Sequence, residues 1–166
     1  DQSQVAMAVL VSRTFVNEDV NGVAFTGNPS NAADRRYVVT AQQGEASVVS
    51  PEPNVLAEKN IVSLRDGEVV DILRATRSTL VPQGSFVLSE TQLREVGELL
   101  YHIDQNFPID TGSHNREDIL FDIEFKIEST GELAVKQVRP FLITGPVLPS
   151  PTFELDIPAG SVACGQ

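Results

Sequence analysis

Apolar residues fall along this chain mostly in short β-branched runs, and only one stretch repeats them at helical spacing. From Val5 to Val16 the run VAMAVLVSRTFV is rich in valine and reads as a mostly buried strand. Asn17-Glu18-Asp19 then make a turn into a second strand, Val20 to Thr26. The pair reads as a hairpin that leads into the loop Gly27-Asn28-Pro29-Ser30-Asn31. Tyr37 to Ala41 is a short strand, and Ala46 to Ser50 resumes it after the polar Gln42-Gln43-Gly44-Glu45, until Pro51 and Pro53 stop it. Ile61 to Leu64 and Val69 to Leu73 form a hairpin whose Asp66-Gly67 pair favours the positive φ of a tight turn.

Ser89 opens the helix. Its hydroxyl can cap the first turn while Gln92, three residues on, reaches back to complete a capping box. Leu93, Val96, Leu99, Leu100, Ile103 and Phe107 then share one face, and Pro108 ends the element. Ile119 to Glu128 and Leu133 to Phe141 are the last two strands. The fold class expected is therefore α+β, a mostly antiparallel sheet with one main helix packed on it. Residues 1–144 would form this unit, and 145–166, with Pro146, Pro149, Pro151 and Pro158, a linker toward a following domain.

The chain's 166 residues suffice for one cored domain without staples. Cys164 is the single cysteine, which rules out an internal disulfide and fits a reducing, cytoplasmic setting. No apolar run is long enough to span a bilayer, and the non-methionine start suggests a piece of something longer. Twelve basic against 23 acidic residues give a formal net charge of −11, which argues against a nucleic-acid partner. A small anion such as ATP is compatible only with bound cations or locally supplied basic groups.

The last hairpin carries the sharpest chemistry. If Thr130 and Gly131 form a two-residue turn, Ser129 faces Glu132, Glu124 lies opposite Gln137 and Asp122 opposite Arg139. Alternation then puts all four on one face, with Ile123, Phe125, Ile127, Ala134 and Val138 on the other, where Lys136 also falls. A carboxylate beside an amide oxygen suits a hard cation such as Mg2+, and Arg139 could grip a phosphate oxygen nearby. Spacing alone favours a plainer reading, in which Asp122 and Arg139 form a surface ion pair and Gln137 is merely solvated.

Asp122-Ile123-Glu124-Phe125 followed by Lys136-Gln137-Val138-Arg139-Pro140 closely resembles the strand pair closing the ATP-grasp domain in the pyruvate phosphate dikinase and phosphoenolpyruvate synthase family. Two upstream segments agree in order: Gly22-Val23-Ala24-Phe25-Thr26-Gly27-Asn28-Pro29 resembles the family's Gly-Val-x-Phe-Thr-x-x-Pro signature, and Gly44 to Ser50 its Gly-Glu-x-x-Val segment. Met7 to Val11 resembles the strand lining the adenine pocket. The resemblance implies Glu124 and Gln137 as Mg2+ ligands and Arg139 as the catalytic group at the phosphates. It also implies Met7, Val9, Val11, Thr26, Glu45 and Gln137 as nucleotide contacts, and ATP and Mg2+ as cofactors. The parent would be a phosphotransferase passing phosphate to a histidine and on to pyruvate or another acceptor. Its partners would be the preceding half of the ATP-grasp domain, with a phosphate-clamping lysine and arginine, and a phosphohistidine domain.

The isolated chain, beginning after those basic groups, should then be inactive. Ser12 and Gly27, where relatives often carry glutamine and a basic residue, support an alternative: a degenerate ATP-grasp-like domain serving as scaffold or interaction module. His102 and His114 have no cysteine or second histidine at ligand spacing, so zinc is not expected. No Gly-x-Ser-x-Gly elbow or Walker loop occurs.

Overall fold

A computed structural model of the chain describes residues 18–109, 112 and 114–143. Six strands form one antiparallel sheet: β1 (Glu18–Phe25), β2 (Tyr37–Gln43), β3 (Glu58–Arg65), β4 (Glu68–Thr76), β5 (Ile119–Glu128) and β6 (Leu133–Leu142). Their order across the sheet is β4-β3-β2-β1-β5-β6. Between β4 and β5 the chain makes the helix α1 (Glu90–Asn106) and a short 3-10 turn at Arg116–Asp118. The α+β expectation is met as a mostly antiparallel sheet with one helix on it. Among the described residues no helix is long and apolar enough to cross a membrane.

The helix begins where its cap predicts. The Ser89 hydroxyl accepts the Gln92 N–H at 3.2 Å, and the Gln92 side chain accepts the Ser89 N–H at 2.9 Å; such a cap stabilises a helix by about 1 kcal/mol. Leu93, Val96, Leu100 and Ile103 are buried against Val62, Val69, Ile123 and Phe125 of the sheet, and Leu99 packs at their edge. The closest approach is at Gly97, where a Cβ would stand 2.6 Å from a Val69 methyl. Phe107 leaves the predicted stripe: it is the C-cap, 38% exposed, and rests edge-on against Phe121.

Alternate β5 residues Phe121, Ile123, Phe125 and Ile127 form the floor under the helix, none more than 2% exposed. The side chains between them, Asp122 and Glu124, therefore project to the face opposite the helix. The Asp66-Gly67 turn has φ of 53° and 89°, the paired positive values that a two-residue hairpin loop needs.

Several expectations are corrected. Glu18 and Asp19 belong to β1 rather than to a turn. Both edges of β1 are hydrogen-bonded, by β2 and β5, so it has no edge for the hairpin expected with 5–16, residues that lie outside the described ones. The residues 46–50 do not resume a strand; they form a loop, because β3 occupies the next position beside β2.

The last hairpin turns on three residues rather than two. Gly131, at φ 84°, donates to the Glu128 carbonyl at 2.8 Å, and Glu128 donates to the Glu132 carbonyl at 3.0 Å. That longer loop would shift the register by one. A bulge at Lys136 shifts it back, so Phe125 pairs with Val135 while Glu124 pairs with Gln137. Lys136 is consequently exposed instead of lying under the sheet, and Ala134 falls opposite Lys126, off the apolar face.

Candidate functional site

The face opposite the helix is a grid whose rows the strand registers define. One row runs Phe25, Asp122, Arg139 across β1, β5 and β6; the next runs Thr40, Val23, Glu124, Gln137 across β2, β1, β5 and β6. Asp122, Glu124, Gln137 and Arg139 thus share the face that spacing assigned to them. A third row closes the platform on one side, where Lys126 is ion-paired to the buried Glu18 and Asn21 donates to the Ala46 carbonyl at 3.3 Å. That bond and the Gly44 N–H to Asp19 carbonyl bond of 2.8 Å tie the loop 44–50 back onto β1. The loop's Val48 and Val49 wall a cavity of about 330 Å³, and Val23, Phe25, Thr40, Asp122, Glu124 and Arg139 complete its lining.

Asp122 and Arg139 are joined, but incompletely. The Arg139 Nε and Nη2 both reach Asp122 Oδ2 at 2.7 Å. Asp122 is 6% exposed, and its Oδ1 is buried with no hydrogen-bond partner among the described residues. The Asp122 hydrogen bond and charge, and then the Glu124 charge, push the Arg139 guanidinium above its ordinary value, so it stays protonated at any working pH. The side chains of Glu124, half-buried, and Gln137, exposed, hydrogen-bond to no described residue. Gln137 faces Glu124 across the strands without lining the cavity.

The donor set fits a hard divalent cation. An idle carboxylate, an idle amide oxygen and an unsatisfied second carboxylate oxygen are oxygen ligands of the kind Mg2+ takes when phosphates and water complete its shell. No three His, Cys, Asp or Glu side chains cluster as a metal site among the described residues, so the protein would not cage such an ion alone.

The remaining expected contacts are not gathered here. Glu45 is exposed in the turn after β2 and does not line the cavity. Thr26 is buried, its hydroxyl accepting the Phe121 N–H at 2.9 Å, and it borders a different cleft of about 300 Å³ together with Tyr37, Asp104 and Arg116. Met7, Val9 and Val11 lie outside the described residues. Gly27 has a steric reason to lack a side chain, since a Cβ would come within 2.6 Å of Leu120.

Sequence reasoning missed Thr40, Val48 and Val49. The Gly-Glu-x-x-Val resemblance pointed to the two valines' neighbourhood but singled out the glutamate; Thr40 joins the site only through pairing between distant strands.

Volume alone would choose another cleft, of about 410 Å³, bordered by Glu18, Asp19, Gln43, Phe86 and Gln92. Its only charged lining residues are two acids, which repel a polyphosphate, whereas the β5–β6 platform offers a guanidinium. A family model described as the pyruvate phosphate dikinase AMP/ATP-binding domain matches residues 1–146. A search of curated proteins returns no match.

Proposed function

From the premise that the chain belongs to the pyruvate phosphate dikinase AMP/ATP-binding domain family, we propose that the β5–β6 platform is where it holds the phosphates of Mg·ATP. Glu124 and Gln137 are the metal's protein ligands, and Arg139 binds a phosphate oxygen. The observation that carries this reading is the pairing of Glu124 with Gln137, both without other partners, one row from a permanently charged guanidinium. Mg2+ when bound would screen the repulsion between the triphosphate and this acidic face. The chain's own residues do the rest: Asp122 orients Arg139, and Val48 and Val49 offer an apolar wall to the base. Phosphoryl transfer depends on positioning and charge, and these side chains supply both.

In this reading the chain is the later subdomain of an ATP-grasp fold in a cytoplasmic phosphotransferase, which passes phosphate to a histidine on another domain and then to pyruvate or another acceptor. Met7, Val9, Val11, Thr26 and Glu45 would contact the nucleotide only once the preceding half-domain closes over it. Without that half's basic residues the isolated chain binds weakly and does not turn over.

The test is a nuclear magnetic resonance titration of the chain with ATP and Mg2+ at millimolar concentration. Amide shifts should concentrate at 122–124, 137–139 and 48–49, and Glu124→Ala should abolish the Mg2+ dependence. Shifts scattered elsewhere, or an unchanged response in Glu124→Ala, would refute the assignment. The packing of Gly27 against Leu120 favours a second reading, a scaffold that has lost nucleotide binding, because it leaves no room for a basic side chain there. Absence of any response at saturating Mg·ATP would establish that alternative.

A further inference from the structure

The Glu124 row does not stop at the metal ligands. Thr40 pairs with Val23, which pairs with Glu124, and on its other side Thr40 pairs with Lys59 of β3. Lys59, Thr40, Val23, Glu124 and Gln137 thus form one line over five strands, on the face opposite the helix. Strands lie about 4.8 Å apart, which sets Thr40 about 10 Å from Glu124 and Lys59 one strand further.

Thr40 is also chemically idle. Its neighbours on β1 and β2 at the same face are committed: Asn21 donates to the Ala46 carbonyl, and Gln42 donates to the Leu56 carbonyl at 3.1 Å while accepting from Ser78. The Thr40 hydroxyl hydrogen-bonds to no described residue although Thr40 lines the cavity and is half-buried. Lys59 is exposed and makes no ion pair among the described residues. Arg35, Arg65, Arg77 and Lys136 likewise have no carboxylate partner among the described residues, so what distinguishes Lys59 is its place at the end of the Thr40 row. In a chain of net charge −11, a cation left unpaired at the end of a row of idle polar groups calls for an anionic partner.

We infer that Thr40 and Lys59 form a second phosphate-contacting point, binding the phosphate nearest the sugar, while Glu124, Gln137 and Arg139 serve the far end of the phosphate chain. This rests on the proposed nucleotide site and adds its direction: terminal phosphate over β5 and β6, sugar end over β1 and β2. The hydroxyl donates to a phosphate oxygen, and the lysine's flexible stem brings its charge over the same group.

The test measures affinities of the chain for AMP, adenosine and Mg·ATP. Thr40→Val keeps the branched shape and should weaken AMP and Mg·ATP by about tenfold, the effect of losing a hydrogen bond to a charged group, with adenosine unchanged. Thr40→Ser should restore binding. Lys59→Met should weaken AMP by about threefold and flatten its dependence on salt. Thermal unfolding of each variant controls for misfolding. Equal losses for AMP and adenosine would overturn the phosphate assignment, and wild-type affinity in both Thr40→Val and Lys59→Met would overturn the second contact. A wild-type chain that binds none of the three would remove the nucleotide site itself, an outcome distinct from either.

Discussion

Two of the carboxylates buried in this sheet, Glu58 and Asp122, are treated in opposite ways. Glu58, at the start of β3 and fully buried, has both oxygens occupied: Oε1 accepts from Asn60 Nδ2 and Arg74 Nη1, each at 3.0 Å, and Oε2 accepts the Val87 N–H at 2.6 Å. Arg74 in turn donates to the Leu88 carbonyl at 2.8 Å and lies over the Phe86 ring. The cluster pins the segment before α1 to the sheet, next to the Ser89 cap. Asp122, on the face opposite the helix, has one oxygen satisfied twice and the other by none of the described residues. A buried polar atom without a partner costs about 1–3 kcal/mol. Glu18 Oε2 and Asn60 Oδ1 are also buried without a partner among the described residues, so the orphaned oxygen alone does not mark a ligand site. What sets Asp122 apart is its place beside Glu124 and Arg139 on the cavity wall.

The contrast predicts its own largest effect. Glu58→Ala should destabilise the fold by about 3–5 kcal/mol, because it strands Arg74 and the Val87 and Leu88 N–H groups, which also point at the carboxylate. Urea unfolding measures it. Asp122→Ala should cost only about 1 kcal/mol: Arg139 is 57% exposed, and water replaces the lost partner. The same variant should weaken Mg·ATP binding by freeing Arg139 from its position. If the two substitutions destabilise equally, the distinction between clamp and site is wrong.

Glu124→Gln sharpens the comparison further. The group has no partner to lose, so stability should stay within about 0.5 kcal/mol of the parent chain, while the Mg2+ dependence of nucleotide binding is lost. A substantial loss of stability would mean that Glu124 is part of the framework.

These differences were only partly legible in the sequence. The capped helix and the Asp66-Gly67 hairpin could be read because each is set by residues within a few positions of one another. The pairing of Glu124 with Gln137 was also reached from spacing, yet through two departures that offset each other: a loop one residue longer than expected and a bulge at Lys136. Asp122, Glu124, Gln137 and Arg139 lie beyond the bulge, where the register again agrees. Neither departure has a local signature strong enough to read. Thr40 and Glu58 were missed for a different reason. Their roles depend on β2 and β3 lying beside β1, and long-range pairing leaves no trace in periodicity. The valines of the loop at 46–50 read as a strand in the sequence, and in the fold β3 already occupies the neighbouring position.

The smallest expected effect concerns a buried carboxylate outside the sheet, Asp34, in the loop after β1. It resembles Glu58 in being satisfied, but by its own neighbourhood: Arg36 Nε and Nη2 each donate at 2.8 Å and the Arg36 N–H at 3.1 Å. Burial alone would raise its carboxyl, but the Arg36 hydrogen bonds and charge, with Asn28 adding to them, outweigh burial and hold it below the ordinary 3.8. The unfolded chain therefore takes up the proton first as pH falls. The stabilisation is complete above the ordinary value and drains away as pH drops through the lower, folded one. Asp34→Asn should flatten that acid limb in urea unfolding followed from pH 6 to pH 2, and leave the slope elsewhere unchanged. An unaltered acid limb would show that the loop's carboxylate contributes nothing that protonation removes. Asp34 would then stand nearer to Asp122 than to Glu58.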